Sequence, residues 1–119
     1  MGVSPISDLT VQTLTTAMRG VAQRRQAYQD NIANAETPGY LANRVSFEDS
    51  LASALSSGDP TSAVTTTSRT SDPTNLSGNN VMVDQEVTGL TENQLQGQLL
   101  VEALNAKYRL LRAAIGPSS

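Results

Sequence analysis

The sequence contains no cysteine and no histidine. The first absence excludes a disulfide, a thiolate nucleophile and a cysteine metal site. The second removes the commonest general base and the commonest transition-metal ligand. Tryptophan is absent too, phenylalanine occurs once, and aromatics make up only 3% of the 119 residues. Aromatic side chains carry much of the burial in a small domain, so a self-sufficient core is hard to build from this composition. No run of about 20 apolar residues exists, so direct membrane insertion is not expected. The opening "MGVSPISDLTVQTL" lacks a basic stretch followed by a continuous apolar one, and no cleaved secretory signal is expected. Ile6 stands where a myristoylation signal needs Ser or Thr. A basic block is also missing: net charge is −3, and only Arg19, Arg24 and Arg25 cluster. Nucleic-acid binding rests on clustered Lys and Arg, so none is expected. The trio reads as solvated or partner-facing helix surface.

What is present falls into three parts, 1–36, 37–83 and 84–119. In the first, Val11, Leu14, Met18, Val21, Tyr28 and Ile32 follow alternating steps of three and four, with Arg25 in the one polar slot. This is heptad spacing and predicts a helix over about 7–34 with a narrow apolar seam. Ser4 and Pro5 supply a start signal, and Asp8 suits the positive helix end. The third part mirrors the first. Val87, Leu90, Gln94, Gly97, Val101, Leu104, Tyr108, Leu111 and Ile115 again alternate steps of three and four. Leu95, Leu99, Leu100 and Leu110 widen that stripe beyond a two-stranded seam. Acidic residues lead (Asp84, Glu86, Glu92) and basic ones follow (Lys107, Arg109, Arg112), which complements the helix dipole. Gly116 and Pro117 then supply a stop.

The middle part differs. "VSFEDSLASALSSG" predicts a short helix, with Ser46 and Asp49 as a capping-box-like pair and Phe47, Leu51 and Leu55 on one face. Eight of the eleven residues from Thr61 to Ser71 are Ser or Thr, and with "SGDP" and "SDPTNLSGNN" they read as an irregular loop. Val64 to Ser68 has at most the character of a weak edge strand. The expected fold is therefore mainly α: two long terminal helices pairing as a coiled-coil-like hairpin, a short middle helix, and a Ser/Thr-rich loop.

No catalytic constellation is readable. Glu48 and Asp49 are adjacent and do not converge on a helix. Asp84 and Glu86 sit at a helix start, where dipole complementarity accounts for them. Lys107 has no serine partner in register. No enzyme, cofactor or metal is expected.

The stretch "NIANAETPGY", Asn31 to Tyr40, is the most distinctive. Thr37 before Pro38 is pushed out of the helical region. Pro38 and Gly39 suit the two central positions of a type II turn. The helix should end near Glu36. From the residues alone the motif is either a helix end with a turn or a specific assembly contact, in which Asn31 and Asn34 fix register around Ile32 and Ala33. Tyr40 offers a docking ring with a polar tip.

"NIANAETPGY" closely resembles the signature of the axial proteins of the bacterial flagellum, N-I-A-N-x-x-T-P-G-[YF]. The later segment "GNNVMVDQEVTGLTENQL…ALNAKYRLLRAAI" is similar to the basal-body rod members of that group, nearest the short proximal branch. Asn79, Asn80, Val81, Asp84, Glu86, Leu104, Asn105, Lys107, Tyr108, Leu111, Ala114 and Ile115 carry that likeness. "VSFEDSLASAL" also resembles the segment after the turn. Gln98 departs from a frequent aromatic, and the longer middle domain of distal relatives is absent. The resemblance implies a structural subunit that self-assembles with other flagellar rod subunits into a helical tube needed for motility. It implies contact with basal-body and export-apparatus components, export by the flagellar type III apparatus, and a place in the rod across the periplasmic space. It further implies an assembly motif of Asn31, Ile32, Ala33, Asn34, Thr37, Pro38, Gly39 and Tyr40. The interface seams would then be Val11, Leu14, Met18, Val21 and Tyr28 on one helix. On the other they would be Val87, Leu90, Val101, Leu104, Tyr108, Leu111 and Ile115. The alternative, a helical-hairpin adaptor or small secreted helical effector, shares the heptads but gives no reason for the Asn and Thr-Pro-Gly stretch.

Overall fold

The computed structural model describes residues 8–115. The Ser4–Pro5 start signal and the Gly116–Pro117 stop lie outside these residues. Helix α1 runs Leu9–Ala33, strand β1 Asn43–Ser46, helix α2 Glu48–Ser56, strand β2 Thr66–Arg69 and helix α3 Val83–Ile115, with a 3-10 turn at Pro60–Ser62 before β2. The 33 residues of α3 make a rod about 50 Å long. α1 and α3 lie antiparallel: Asp8 meets Lys107, Val21 meets Asn93, Tyr28 meets Gly89 and Asn31 meets Glu86. The result is a flat body of 68 × 29 × 14 Å, in its thinnest direction little deeper than one helix.

α1 begins where Asp8 accepts from the backbone N–H groups of Thr10 at 2.8 Å and Val11 at 3.1 Å. The Val11 hydrogen bond, helped by the Lys107 ammonium, holds the Asp8 carboxyl below its ordinary value. The far end stops at Ala33, within one residue of the limit expected from the heptads and short of the Glu36 expected from the Thr37-Pro38 break. Asn34 caps the end by turning its side-chain amide back onto the Asp30 carbonyl at 2.8 Å, the local bonding that makes Asn a poor helix continuer. Thr37 O then accepts from Tyr40 N at 3.2 Å with Gly39 at φ +75°, the type II turn expected of Pro38-Gly39.

The strands revise the middle segment. β1 and β2 pair antiparallel, with Asn43 opposite Arg69 and Ser46 opposite Thr66. Four of the eleven residues of the Ser/Thr tract, Thr66–Arg69, are thus an edge strand rather than irregular loop, since β-branched threonine suits a pleated, solvent-facing ribbon. The capping-box expectation fails: Ser46 ends β1, and the α2 N-cap is Phe47, which makes no side-chain capping bond. Within α2 the buried side is Ala54 with half-buried Leu51, while Leu55 is exposed.

α1 is the central element. One side packs on α3, and the other on β1, α2 and the 3-10 turn. Its small residues admit the neighbours closely, and Ala17, Val21 and Ala27 form the core cluster with Val45 and Phe47. Phe47 lies directly over Gly20. Arg24 covers the same ring at 4.8 Å, donates to the Val45 carbonyl and pairs with both oxygens of Glu48.

The contact row on α3 keeps the heptad spacing but differs in phase. Leu90, Gly97, Leu104 and Leu111 are half-buried, as the seam requires. The second row is Glu86, Asn93, Leu100 and Lys107, which meet Asn31, Val21, the core cluster and Asp8. Val87, Val101, Tyr108 and Ile115 lie one residue away and are exposed in the single chain. Three of the four true contact residues are polar, so a hydrophobic periodicity passes over them. On α1, Val11 and Val21 are buried, while Leu14, Met18, Tyr28 and Ile32 are half-buried.

Two measurements follow from this packing. An alanine Cβ at Gly20 would stand 2.5 Å from Phe47 Cγ, and one at Gly89 2.5 Å from Tyr28 Cζ. Gly20→Ala is expected to lower stability by about 1–3 kcal/mol in urea unfolding, because overpacking outweighs the helix-propensity gain. Gly89→Ala should lose less, since Tyr28 is half-buried and can swing. Gly97→Ala, at 3.3 Å from Val21 Cγ1, is the near-neutral comparison. The second concerns pH. The hydrogen bond from Arg24 lowers the Glu48 carboxyl from 4.5 to about 2. A lowered folded-state value stabilises above the unfolded value and is lost as pH falls through the folded one. Glu48→Gln should therefore flatten the loss of stability between pH 4.5 and about 2, followed as urea midpoints. The effect should be modest, because half-exposed pairs are screened by solvent.

Candidate functional site

The two sequence signatures, far apart in the chain, meet at one end of the helix pair. Asn31 is fully buried there. Its Nδ2 donates to the Asn43 carbonyl at 3.0 Å and to Glu86 Oε2 at 2.8 Å. Its Oδ1 accepts from Asn43 N at 2.9 Å and from the Tyr40 hydroxyl at 3.1 Å. The side-chain amide thus pairs with the backbone of residue 43 as a neighbouring strand would, and closes the loop after the turn back onto α1. Burial raises the Tyr40 hydroxyl above its ordinary value. The Arg69 guanidinium lies 5.1 Å from the Tyr40 ring centre.

Glu86 is also fully buried. Arg44 grips it with Nη2 at 2.7 Å from Oε1 and Nη1 at 3.3 Å from Oε2. Dipole complementarity therefore does not account for Glu86. It is the buried anion at the join of α1, β1 and α3.

Two further asparagines complete the join. Asn79 donates to the carbonyls of Asn34 at 2.9 Å and Thr37 at 2.8 Å, a second donor for acceptors that also take the N–H groups of Thr37 and Tyr40. Asn80 Oδ1 accepts from Ala42 N at 2.7 Å, and its Nδ2 donates to Thr70 Oγ1 at 2.7 Å. Gly39 N donates to Ser77 O at 2.8 Å, and a Cβ on Gly78 would stand 3.4 Å from Gly39 Cα. Both glycines have positive φ, so the two turns stack through positions that favour glycine.

Of the motif residues, Asn31 and Tyr40 enter the buried knot. Asn34 and Thr37 bond to each other and offer their carbonyls to Asn79. Ile32 is half-buried, and Ala33, Pro38 and Gly39 are exposed. Sequence reasoning missed Asn43 and Arg44, and it named Asn79, Asn80 and Glu86 as signature residues without their roles in the knot. The available signal was the spacing of Glu86, Asn93, Leu100 and Lys107 at steps of seven.

Beyond the knot, the two helices form one wall each of an open groove of about 730 Å³, lined by Met18, Val21, Arg25, Leu90, Val101 and Glu102. At its floor Asn93 donates to the Val21 carbonyl at 2.9 Å, and its Oδ1 is without a partner. Among the described residues no group of three or more His, Cys, Asp or Glu is placed to hold a metal ion. No described helix is long and apolar enough to cross a membrane.

Such an arrangement holds two long helices in one register, and the class it defines is a helical hairpin braced by a two-stranded ribbon. No protein-family model matches the chain. It is 34% identical over 121 residues to the flagellar basal body rod protein FlgB of Bacillus subtilis (strain 168), covering 89% of this chain and 92% of the relative. It is 35% identical over 109 residues to the protein of the same name from Escherichia coli (strain K12), covering 74% and 79%. The Salmonella typhimurium protein of that name is 29% identical over 109 residues. The chain belongs to the FlgB family of flagellar basal body rod proteins.

The knot separates the two motif asparagines experimentally. Asn31→Ala leaves Glu86 short of a donor and the Asn43 N–H without its acceptor, so it should cost about 2–4 kcal/mol in urea unfolding. Asn34→Ala removes a half-exposed cap and should cost about 1 kcal/mol or less. Equal losses from the two substitutions would contradict the assignment of Asn31 as the buried member.

Proposed function

We propose that the chain is a structural, non-enzymatic subunit of the flagellar basal-body rod. It polymerises with sibling subunits through its terminal helices into the helical tube that motility requires. The observation that carries this reading is the buried knot: residues of both terminal signatures lock α1 to α3 in one register. Much of the apolar surface of α3 stays uncovered, with Leu95, Leu99, Leu110 and Ile115 all exposed in the single chain. Family membership and the printed names of the relatives support the rod as the place of assembly. A contact between unlike faces that does not close generates a helical array. At roughly 25 cal/mol per Å², covering that surface stabilises the assembled form over the monomer.

Passage through the flagellar type III apparatus in an unfolded state fits a chain without cysteine and with a thin core. The partners are the other rod subunits and the basal-body components at the rod base, and the site is the rod in the periplasmic space. The motif from Asn31 to Tyr40 acts in this assembly by presetting the angle and register of the two helices.

Deletion of the gene followed by isolation of basal bodies tests the reading. Rods should be missing and motility lost, with recovery on expression of the unaltered chain. Expression of the Asn31→Ala, Asn34→Ala variant should leave rod formation impaired. Normal rods in the deletion strain would refute the proposal.

A further inference from the structure

The β1–β2 ribbon has two edges, and only one is closed. Thr70 N donates to Ala42 O at 2.8 Å, and bonded residues alternate along an antiparallel pair. The bonded partners in the ribbon are therefore Arg44 with Ser68 and Ser46 with Thr66. The backbone groups of Asn43 and Val45 turn the other way, toward α1. There Asn31 takes the N–H and carbonyl of Asn43, and Arg24 takes the Val45 carbonyl. On β2 the groups turned away from β1 belong to Thr67 and Arg69, and both residues are exposed. No backbone hydrogen bond reaches them from outside the ribbon among the described residues. Free edges are normally blocked by a charge, a proline or a bulge. The register is one-to-one, and over residues 63–71 there is no proline and no charge but Arg69. That guanidinium is turned back onto the body, donating to the Leu41 carbonyl at 2.7 Å and lying over the Tyr40 ring.

We propose that the free edge of β2 is a docking site for an extended segment of a different protein, which pairs antiparallel with Thr67 and Arg69 and carries a Lys or Arg just beyond the paired stretch. Unpaired N–H and C=O groups at every second residue are matched by extended backbone. A helix cannot match them, because its own backbone groups are bonded internally. Charge sets the rest. Where the ribbon ends at Ser46 and Thr66 lies a cleft of about 390 Å³, bounded by Phe47, Glu48, Asp49 and Val64. Glu48 is engaged by Arg24, whereas Asp49 is exposed and enters none of the ion pairs among the described residues. A strand antiparallel to β2 passes Thr66 with its C-terminal end, so a basic residue there meets the acidic cleft. The same charge argues against a second copy. Pairing of β2 with β2 about Ser68, the register that matches both free residues of each strand, would set Asp72 of one chain against Val64 of the other, at that cleft. Every Lys and Arg of this chain lies in a helix, in β1 or in β2 itself, so the basic segment comes from another protein. The terminal helices take no part, and the site does not depend on the rod reading.

The probe is the synthetic peptide acetyl-Thr-Val-Thr-Val-Thr-Lys-amide, titrated to millimolar concentration into the purified full-length chain and followed by NMR. The amide signals of Thr67 and Arg69 should move and their exchange with solvent should slow. Ser68, whose backbone groups already bond to β1, should change little. Thr67→Pro removes an outward N–H and spares the ladder to β1, so it should weaken probe binding about tenfold. Unchanged amide signals of Arg44 and Ser46 report an intact ribbon in that variant. Asp49→Lys should weaken the probe about threefold and strengthen the same peptide ending in Glu by a like factor. That charge exchange decides the question if the proline disturbs the ribbon. No response at Thr67 and Arg69, equal binding to the proline variant with its ribbon intact, or indifference to the charge exchange would overturn the proposal. So would tighter binding of a peptide copying residues 65–72, which would make a second copy the occupant.

Discussion

A carboxylate taken wholly out of water costs several kcal/mol unless its partners are in place, and Glu86 is buried to that degree. Arg44 from β1 supplies the counter-charge and Asn31 from the end of α1 supplies a further donor. These groups come from three elements, so Glu86 is tolerated only when α1, β1 and α3 are all positioned. Asn31 is held in turn by Asn43 and Tyr40, and the strand that carries Asn43 is held by Asn80 through Ala42. The turn, the ribbon and the helix pair therefore stand or fall together at one polar join. A hydrophobic join of the same size would hold the helices as firmly but with less discrimination among registers.

The remainder of the body explains why that discrimination matters. Its apolar core is a thin cluster around Ala17, Val21, Ala27, Val45 and Phe47. Smooth apolar helices slide past one another at little cost, and Leu90, Leu104 and Leu111 repeat at spacings that would match after a shift of one heptad. The polar members of the contact row, Glu86, Asn93 and Lys107, do not survive such a shift, because each has a different partner on α1. Asn93 leaves its Oδ1 without a partner, a cost in stability accepted within a contact that defines position. A register fixed at one end by these polar pairs sets the whole length of the helix pair.

Much of the architecture was legible beforehand. The heptads of both terminal helices, the break at Thr37-Pro38-Gly39, the short helix after it and the Asp8 end signal all rest on local rules. Spacing, proline sterics and helix capping act within a few residues, so they are visible in one dimension. The β1–β2 ribbon was not legible in the same way: Thr66–Arg69 is wholly exposed and has no alternation to mark it. Nor was the second contact row on α3. Its polar residues look like surface until their partners are known, and its apolar neighbours Val87, Val101 and Tyr108 look like seam.

What the sequence by itself determined is the set of elements, the absence of thiol and imidazole chemistry, and the likeness of its two terminal signatures to those of flagellar rod proteins. What only the tertiary structure decided is that these signatures are two halves of one object. Asn31 and Glu86 are 55 positions apart, and their hydrogen bond depends on an antiparallel fold-back that no local pattern encodes. The same fold-back decides which face of α3 is spent inside the chain and which is left exposed. Burial of a charged or amide group is decided by the partners that surround it, and those partners exist only once the chain has closed.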